Sequence, residues 1–309
     1  MERAFHPGET ALQERVGVAQ RMAAIGPQMI RGYMPQQHRD FFAQLPFIVA
    51  GAADAHGQPW ASLLAGPPGF VTSPDETHLH VRAEPPRHDP LDGLLREGAP
   101  VGLLGIEPHT RRRNRANGLV RQAEGGSFGV EVLQSFGNCP KYIQAREAVY
   151  ADAASMPGAV VRHTAQLDAG MRSIVAAADT FFIATTHPQP ERWGTDVSHR
   201  GGKPGFVRVQ GNTLTVPDFV GNSCFNTLGN LALEPRCGLL FVDFAAGSML
   251  WLAARGHIVF DGPELQAFDG AQRLVRFEVT AARIADGVLP LRWSEAQLSP
   301  HLQGTGAWS

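Results

Sequence analysis

The sequence predicts a mainly β fold with helices (α+β), built as two tandem copies of one β-rich unit. Two observations carry that expectation. The first is texture: from Leu45 onward, short apolar runs alternate with turns rich in Gly, Pro and Asp, the pattern of a barrel or meander. The second is self-similarity. Gly66-Pro67-Pro68-Gly69-Phe70-Val71 matches Gly202-Lys203-Pro204-Gly205-Phe206-Val207, and Val101-Gly102-Leu103-Leu104-Gly105 matches Cys237-Gly238-Leu239-Leu240-Phe241, both at a spacing of 136 residues. Composition bias in glycine-rich strands would let the spacing drift, whereas a constant register indicates duplication. At 309 residues the chain has room for two domains of roughly 150 residues each.

The elements follow in order. Residues 9–25 read as one helix, because Leu12, Val16, Ala19, Met22 and Ala23 recur at helical spacing and Gly26-Pro27 stops it. A shorter helix is predicted from Pro35 to about Leu45. Leu45–Ala50 forms a strand ended by the turn Asp54-Ala55-His56-Gly57, and Trp60–Leu64, Gly69-Phe70-Val71 and Thr77–Arg82 follow as strands. A short helix near Leu91–Arg96 precedes the strand at Val101. Asp152–Arg162, with Ser155-Met156-Pro157-Gly158, reads as a linker, and a helix from Thr164 to Ala178 places Leu167, Met171, Ile174, Val175 and Ala178 on one face. The repeat spacing pairs Ser62 with Ser198 and Phe47 with Ile183, while Leu79-His80-Val81 pairs with Leu214-Thr215-Val216 at 135 residues. A second short helix falls at Cys224–Leu233. The chain thus divides into an N-terminal helical segment (1–38), a first repeat (39–152), a linker (153–163) and a second repeat (164–309).

A hydrophobic fraction of 43%, a charged fraction of 18% and a net charge of -2 describe an ordinary globular protein without the basic surplus of a nucleic-acid binder. The one basic run, Arg111-Arg112-Arg113-Asn114-Arg115, reads on its own as a solvated strand end. Three scattered cysteines, with no CxxC and no His pair at zinc spacing, argue against a disulfide framework and a structural zinc. The polar N-terminus and the absence of an apolar stretch of ~20 residues point to a cytoplasmic protein with no membrane contact.

The densest chemistry lies at Asp196-Val197-Ser198-His199-Arg200-Gly201-Gly202, where a hydroxyl, an imidazole and a guanidinium open a glycine turn. Such a turn lets backbone amides approach an anion, and Arg suits phosphate; a solvated turn with a surface ion pair reads equally well. Pro217-Asp218-Phe219-Val220-Gly221-Asn222-Ser223 leads into the helix at Cys224. Gly221, Asn222 and Ser223 would offer amides to a phosphate there or cap the helix, and the same donors serve both roles.

These residues resemble a family. Ser198-His199-Arg200-Gly201, Gly205-Phe206-Val207, Leu214-Thr215-Val216-Pro217-Asp218, Gly221-Asn222, and Asn230-Leu231 through Pro235-Arg236-Cys237-Gly238-Leu239-Leu240-Phe241 resemble the pyridoxamine 5′-phosphate oxidase-related FMN-binding split β-barrel superfamily, in its tandem-repeat subgroup. The resemblance implies two split β-barrels forming a pseudo-dimer with FMN bound between them. It places Ser198, His199, Arg200, Pro217, Asp218, Gly221 and Asn222 on the cofactor, mainly at its phosphate. Cys139-Pro140-Lys141-Tyr142-Ile143 resembles the family's Cys-x-Lys-x-Ile segment near the flavin. Lys141, with Tyr142 or Arg115, would therefore approach from the first repeat, where Arg115 stands three residues before Gly118 as Ala253 stands before Gly256. Read alone, Lys141 and Tyr142 fit a helix start and Cys139 a small buried hydrophobe. The first repeat has Ser62-Leu63-Leu64-Ala65 in place of Ser198-His199-Arg200-Gly201, so its mirror site would lack the arginine. Phe5-His6-Pro7-Gly8-Glu9 resembles the segment before the first barrel of the subgroup and has no assigned role, and His6, His187 and His257 read as core or surface residues.

The implied function is an FMN-dependent oxidoreductase acting on a small-molecule substrate, or fed by an electron donor such as NAD(P)H, in a chain that can still pair as a homodimer. Alternatives are a non-enzymatic flavin-binding or electron-transfer module and a haem-binding or haem-degrading split barrel. Pyridoxamine phosphate oxidation itself is disfavoured, because no second phosphate-binding set stands out.

Overall fold

The structure, a computed structural model, describes residues 4–151 and 160–308. Two helices, α1 (Pro7–Arg15) and α2 (Ala19–Met29), stand where the sequence predicts one over 9–25. Gly17 separates them at φ 73°, a conformation that favours glycine. Gly26-Pro27 does not stop α2. Pro27 sits near its end, where a missing N–H costs one backbone bond, and Gly26 packs against the Phe5 ring. Helix α3 (Gln36–Gln44) follows Pro35.

The first half contains β1 (Phe47–Ala53), β2 (Pro59–Ala65), β3 (Val71–Asp75), β4 (His78–Val81), β5 (Pro100–Glu107), β6 (Arg112–Glu124) and β7 (Ser127–Gly137). After β8 (Ala148–Tyr150), the second half contains β9 (Val161–Thr164), α4 (Ala169–Ala177), β10 (Thr180–Thr186), α5 (Pro190–Trp193), β11 (Thr195–Gly201), β12 (Arg208–Gln210), β13 (Thr213–Phe219), α6 (Asn226–Leu233), β14 (Arg236–Asp243), β15 (Ser248–Val259), α7 (Pro263–Gln266) and β16 (Ala271–Ala285), before β17 (Leu291–Trp293). The first sheet runs β2-β1-β5-β6-β7-β4-β3 and the second β11-β10-β14-β15-β16-β13-β12. The order is the same in both, and each path stays open at its ends, which makes each half a split barrel. The fold is therefore α+β, two split barrels in tandem. Strand β17 pairs with β8, tying the end of the second half to the exit of the first.

Local details differ from the expectation for physical reasons. Leu91–Arg96 is a run of turns, with the Asp89 carboxylate taking the Leu91 amide at 2.8 Å and Leu94 N–H bonding the Leu91 carbonyl at 2.9 Å. Helix α4 begins at Ala169 because the Asp168 carboxylate caps the Met171 amide. Helix α6 begins at Asn226 because Ser223 and Phe225 take positive φ values of 62° and 63°. The expected linker over 153–163 lies outside the described residues from 153 to 159, and its far end enters β9. Phe47 lies opposite Ala65 and Thr180 opposite Gly201, so Phe47 corresponds to Thr180, not to Ile183. The turn 54–58 is three residues shorter than its counterpart 187–194, which contains α5, and that difference absorbs the shift.

Three large apolar clusters hold the two halves, and a small fourth one, Phe5, Met22 and Cys224, seats the N-terminal helices. One belongs to the first half (Phe41, Leu103, Val130) and one to the second (Phe181, Leu239, Phe277). The third lies between them and combines Phe47, Val49 and Leu104 with Phe182, Leu240 and Trp251. Full burial of each such side chain contributes about 1.5–3 kcal/mol. The halves meet through β1, β2 and β5 against β10, β11 and β14. Two glycines allow the approach: a Cβ at Gly102 would lie 2.7 Å from the Thr195 carbonyl, and one at Gly238 would collide with the Pro59 backbone. Both pairs are related by the same 136-residue spacing, so the contact obeys a pseudo-twofold. No described helix is long and apolar enough to cross a membrane.

Candidate functional site

A cavity of about 440 Å³ lies where the second half's β11, β13 and start of α6 face β6 and the exit of β7 from the first half. Ser198, His199, Arg200, Asp218, Gly221, Asn222 and Arg115 all line it. Sequence reasoning missed Arg113, Asn138, Gln272 and Arg273, together with Val16, Val18 and Arg21 from the N-terminal helices. Pro217 faces a separate small void beside Leu228 and Phe277. Lys141 does not line the cavity. Tyr142 stands behind it, with its ring 5.0 Å from Phe219 and its hydroxyl donating to the Val220 carbonyl at 3.3 Å.

Strand alternation explains how the basic run contributes. Arg113 and Arg115 point into the cavity, while Arg112 lies over Phe41 on the opposite face. Arg115 donates to the Ser198 hydroxyl and to Asn226 Oδ1 at 2.8 Å, and pairs with Asp196 at 3.2 Å. Ser198 also bonds Thr227 at 2.7 Å. Arg200 pairs with Asp218 at 2.6 Å and Arg273 with the other oxygen of Asp218 at 2.9 Å. Arg113 donates to the Cys139 carbonyl at 2.9 Å and reaches His199 Nδ1 at 3.3 Å.

Five guanidinium groups (Arg21, Arg113, Arg115, Arg200, Arg273) thus line a cavity that one carboxylate, Asp218, shares. Burial, then the charge of Arg115, pushes Arg113 down to about 9, still charged at neutral pH. Burial first, and then Arg113 and Arg200, hold His199 well below 6.5, so its imidazole is neutral. Because Arg113 can only donate, Nδ1 is the acceptor and the proton sits on Nε2. The first-turn amides of α6 add further donors, since a helix leaves them without intrahelical partners. Asn222 does not cap α6; its side chain takes the Cys224 amide at 3.1 Å in the loop before it. Ser223 and Phe225, both lining the cavity, hold left-handed backbone, the local strain that clusters at binding sites.

The second-half counterpart of Arg115 is Trp251, not Ala253: Arg115 lies opposite Leu104 and Trp251 opposite Leu240, 136 residues on. Trp251 is fully buried, and its Nε1 donates to Ser62 Oγ at 3.0 Å. Ser62 also donates to Asp89, which burial raises to about 7. With Leu64 in place of Arg200, the mirror position is packed core.

The N-terminal segment has a structural role. His6 caps α1, Glu9 takes the His6 amide at 2.8 Å, and Glu9 Oε1 takes the Asn226 side-chain amide at 2.6 Å. His6 and His187 are buried side by side, ring centroids 4.8 Å apart, whereas His257 is exposed.

No family model and no curated protein matches this chain. Solved structures do, at low identity. The Group A Streptococcus protein HupZ aligns at 10% identity and TM-score 0.30, over 37% of this chain and 96% of its own. A FAD-binding protein from Mesorhizobium loti aligns at 14% identity and TM-score 0.30, over 41% of this chain and 98% of its own. A Clostridium acetobutylicum protein of the pyridoxinephosphate oxidase family, related to general stress protein 26 of B. subtilis, aligns at 10% identity and TM-score 0.29, over 41% of this chain and 92% of its own.

Proposed function

We propose that the inter-half cavity binds a flavin mononucleotide and that the chain is an FMN-dependent oxidoreductase of the pyridoxamine 5′-phosphate oxidase-like superfamily. The observation that carries the reading is the excess of cations around a cavity of 440 Å³: Arg113, Arg115, Arg200 and Arg273, with Arg21 exposed at its edge, face only Asp218 and the Asp196 that pairs with Arg115. Buried cations call for a counter-charge, and a phosphate supplies one. Two buried donors on its walls, Arg115 Nε and Asn138 Nδ2, have no partner among the described residues, which fits a group with several acceptor atoms. The motif resemblance of Ser198–Arg200 and Gly221-Asn222 supports the same ligand.

In this reading Ser198, Thr227, Arg200 and the first amides of α6 hold the phosphate, and Phe219, Val220 and Phe225 offer apolar surface to the ring. When bound, the flavin supplies the electron-transfer chemistry, and the protein supplies binding and electrostatics. Arg113 and Arg115 favour negative charge on the ligand, and the neutral His199 offers Nε2–H as a donor. A small-molecule substrate, or a donor such as NAD(P)H, enters at the mouth edged by Val16, Arg21 and Val220. The three cysteines, all free, fit a cytoplasmic setting.

The test is release and identification of the cofactor from purified protein, followed by anaerobic titration with dithionite, NADH and NADPH. FMN reduced by a nicotinamide supports the reading. A Soret band would favour the haem alternative, and reduction by dithionite alone the non-enzymatic module.

A further inference from the structure

We propose that Glu9 is a positioning residue for the anion site: it fixes the Arg115 guanidinium through the side-chain amide of Asn226, so the N-terminal segment completes a site that the two halves form. The proposal deepens the flavin reading and rests on it for the identity of the ligand.

Donor and acceptor accounting carries the argument. Arg115 has only N–H groups, so the Asn226 atom 2.8 Å from its Nη1 must be the carbonyl Oδ1. The Asn226 NH₂ then faces Glu9 Oε1, 2.6 Å away, and needs an acceptor there. The other oxygen, Oε2, accepts the backbone N–H of His6 at 2.8 Å. Both carboxylate oxygens are therefore acceptors, and the network is complete only when Glu9 is ionised. A protonated Glu9 must donate one O–H. Turned toward Asn226, that proton requires Oδ1, which flips the amide and points its NH₂ at the guanidinium. Turned toward His6, it meets a second donor.

The site makes this balance close. Glu9 is only 4% exposed, and desolvation is the first cause raising it to about 8, against the lowering effect of the His6 amide, Asn226 and Arg115. The groups facing it are His6, pushed to about 4 by burial; His187 behind His6, also lowered; Asp196 on β11; Arg115 on β6; and Cys224 before α6, whose thiol burial raises to about 12. Between pH 7 and 9, Glu9 changes charge, while His6 at about 4 and Cys224 at about 12 do not. A second observation fixes its place independently. Helices α1 and α6 cross at Gly8 and Gly229, where a Cβ on Gly229 would lie 2.6 Å from Glu9 Cγ.

The experiment is FMN titration of apo-protein from pH 7 to 9, on wild type, E9Q, R115A and the double variant. Wild-type affinity should fall about tenfold from pH 9 to pH 7 as Glu9 takes up its proton. E9Q, which has one acceptor oxygen instead of two, should bind about tenfold more weakly with the Glu9 component of the profile gone. Arg113 titrates alike in both forms, so the comparison subtracts it. In the R115A background, E9Q should have no further effect. A merely structural role in capping α1 predicts instead the same loss in both backgrounds and an unaltered pH profile, and either result overturns the proposal. A readout without ligand keeps it separate from the flavin reading: the Asn226 side-chain amide resonance should move with pH in wild type and stay fixed in E9Q. If wild type binds no FMN, the flavin reading fails while this resonance still decides the role of Glu9.

Discussion

Arg200 and Arg273 share the Asp218 carboxylate, so two cations face one anion at the cavity wall. Removing Arg200 takes one charge-assisted contact from a bound phosphate, worth roughly 1.5–3 kcal/mol, and FMN should bind about ten- to a hundredfold more weakly. An unchanged Kd for R200A would remove it from the phosphate site. Its counterpart Leu64 is buried in the first half's core, so L64A should cost about 2–5 kcal/mol of stability and leave the FMN Kd alone. Lys141→Ala should alter neither the affinity nor the reduction potential of bound flavin, because Lys141 does not line the cavity. At this scale, adjacency was legible: Ser198, His199 and Arg200 are neighbours in sequence and remain so in the site. Arg113 was within reach of the same reasoning, because residues two apart on a strand share a face and Arg115 had been singled out. Glu9 was not, since its partner Asn226 is reached only through the crossing of a helix of the N-terminal segment with one of the second half.

Helix α1 comes close to α6 at two glycines, Gly8 and Gly229, and Leu12 joins Leu228 and Leu231 in one apolar cluster. A methyl at Gly229 would press on Glu9 Cγ at 2.6 Å and on its backbone N at 2.7 Å, so α1 must lift. Gly229→Ala should destabilise the protein by about 1–3 kcal/mol and weaken FMN binding together, since α1 carries Glu9 and leads to Val16. Gly304→Ala, where an added methyl meets nothing, should change neither melting temperature nor Kd. Most strands were readable because Gly, Pro and Asp turns punctuate them. The ends of helices were less so. Gly17 sits inside an intact helical pattern that tolerates glycine, and the start of α6 is delayed by positive φ at Ser223 and Phe225, residues whose type does not announce it. His6 with Glu9 three residues on is a capping box without its usual Ser or Thr, and that signal was available.

The whole molecule is a duplication whose two equivalent positions have diverged. Purified protein should contain one flavin per chain: Trp251 and Leu64 occupy the places of Arg115 and Arg200, and Ser62 is already bonded to the indole. Two flavins per chain, by absorbance against protein concentration, would sink that account. The fragment from Val160 to Ser309 should self-associate and bind no FMN, because it exposes Phe182, Leu240 and Trp251 and lacks Arg113, Arg115 and Glu9. The repeat was readable because its spacing is constant where β2, β5 and their counterparts make contact. The identity of Trp251 was hidden because matching Gly118 to Gly256 uses a spacing of 138 in place of 136: the register of β6 on β5 and of β15 on β14 makes Ala254, not Gly256, the counterpart of Gly118.

The correspondence of Arg115 with Trp251 also bears on inheritance. A symmetric pair of identical chains must place the same residue at both related positions, so a guanidinium good for one site is imposed on the other. Covalent duplication releases that constraint. The desolvation of a charged side chain is then incurred at a single position, while the related one is free to change into an indole that strengthens the seam between the halves. Substitutions at 115 and 251 should accordingly be tolerated on different grounds: at 115 by whether they keep a cation facing Ser198, at 251 by whether they keep the volume.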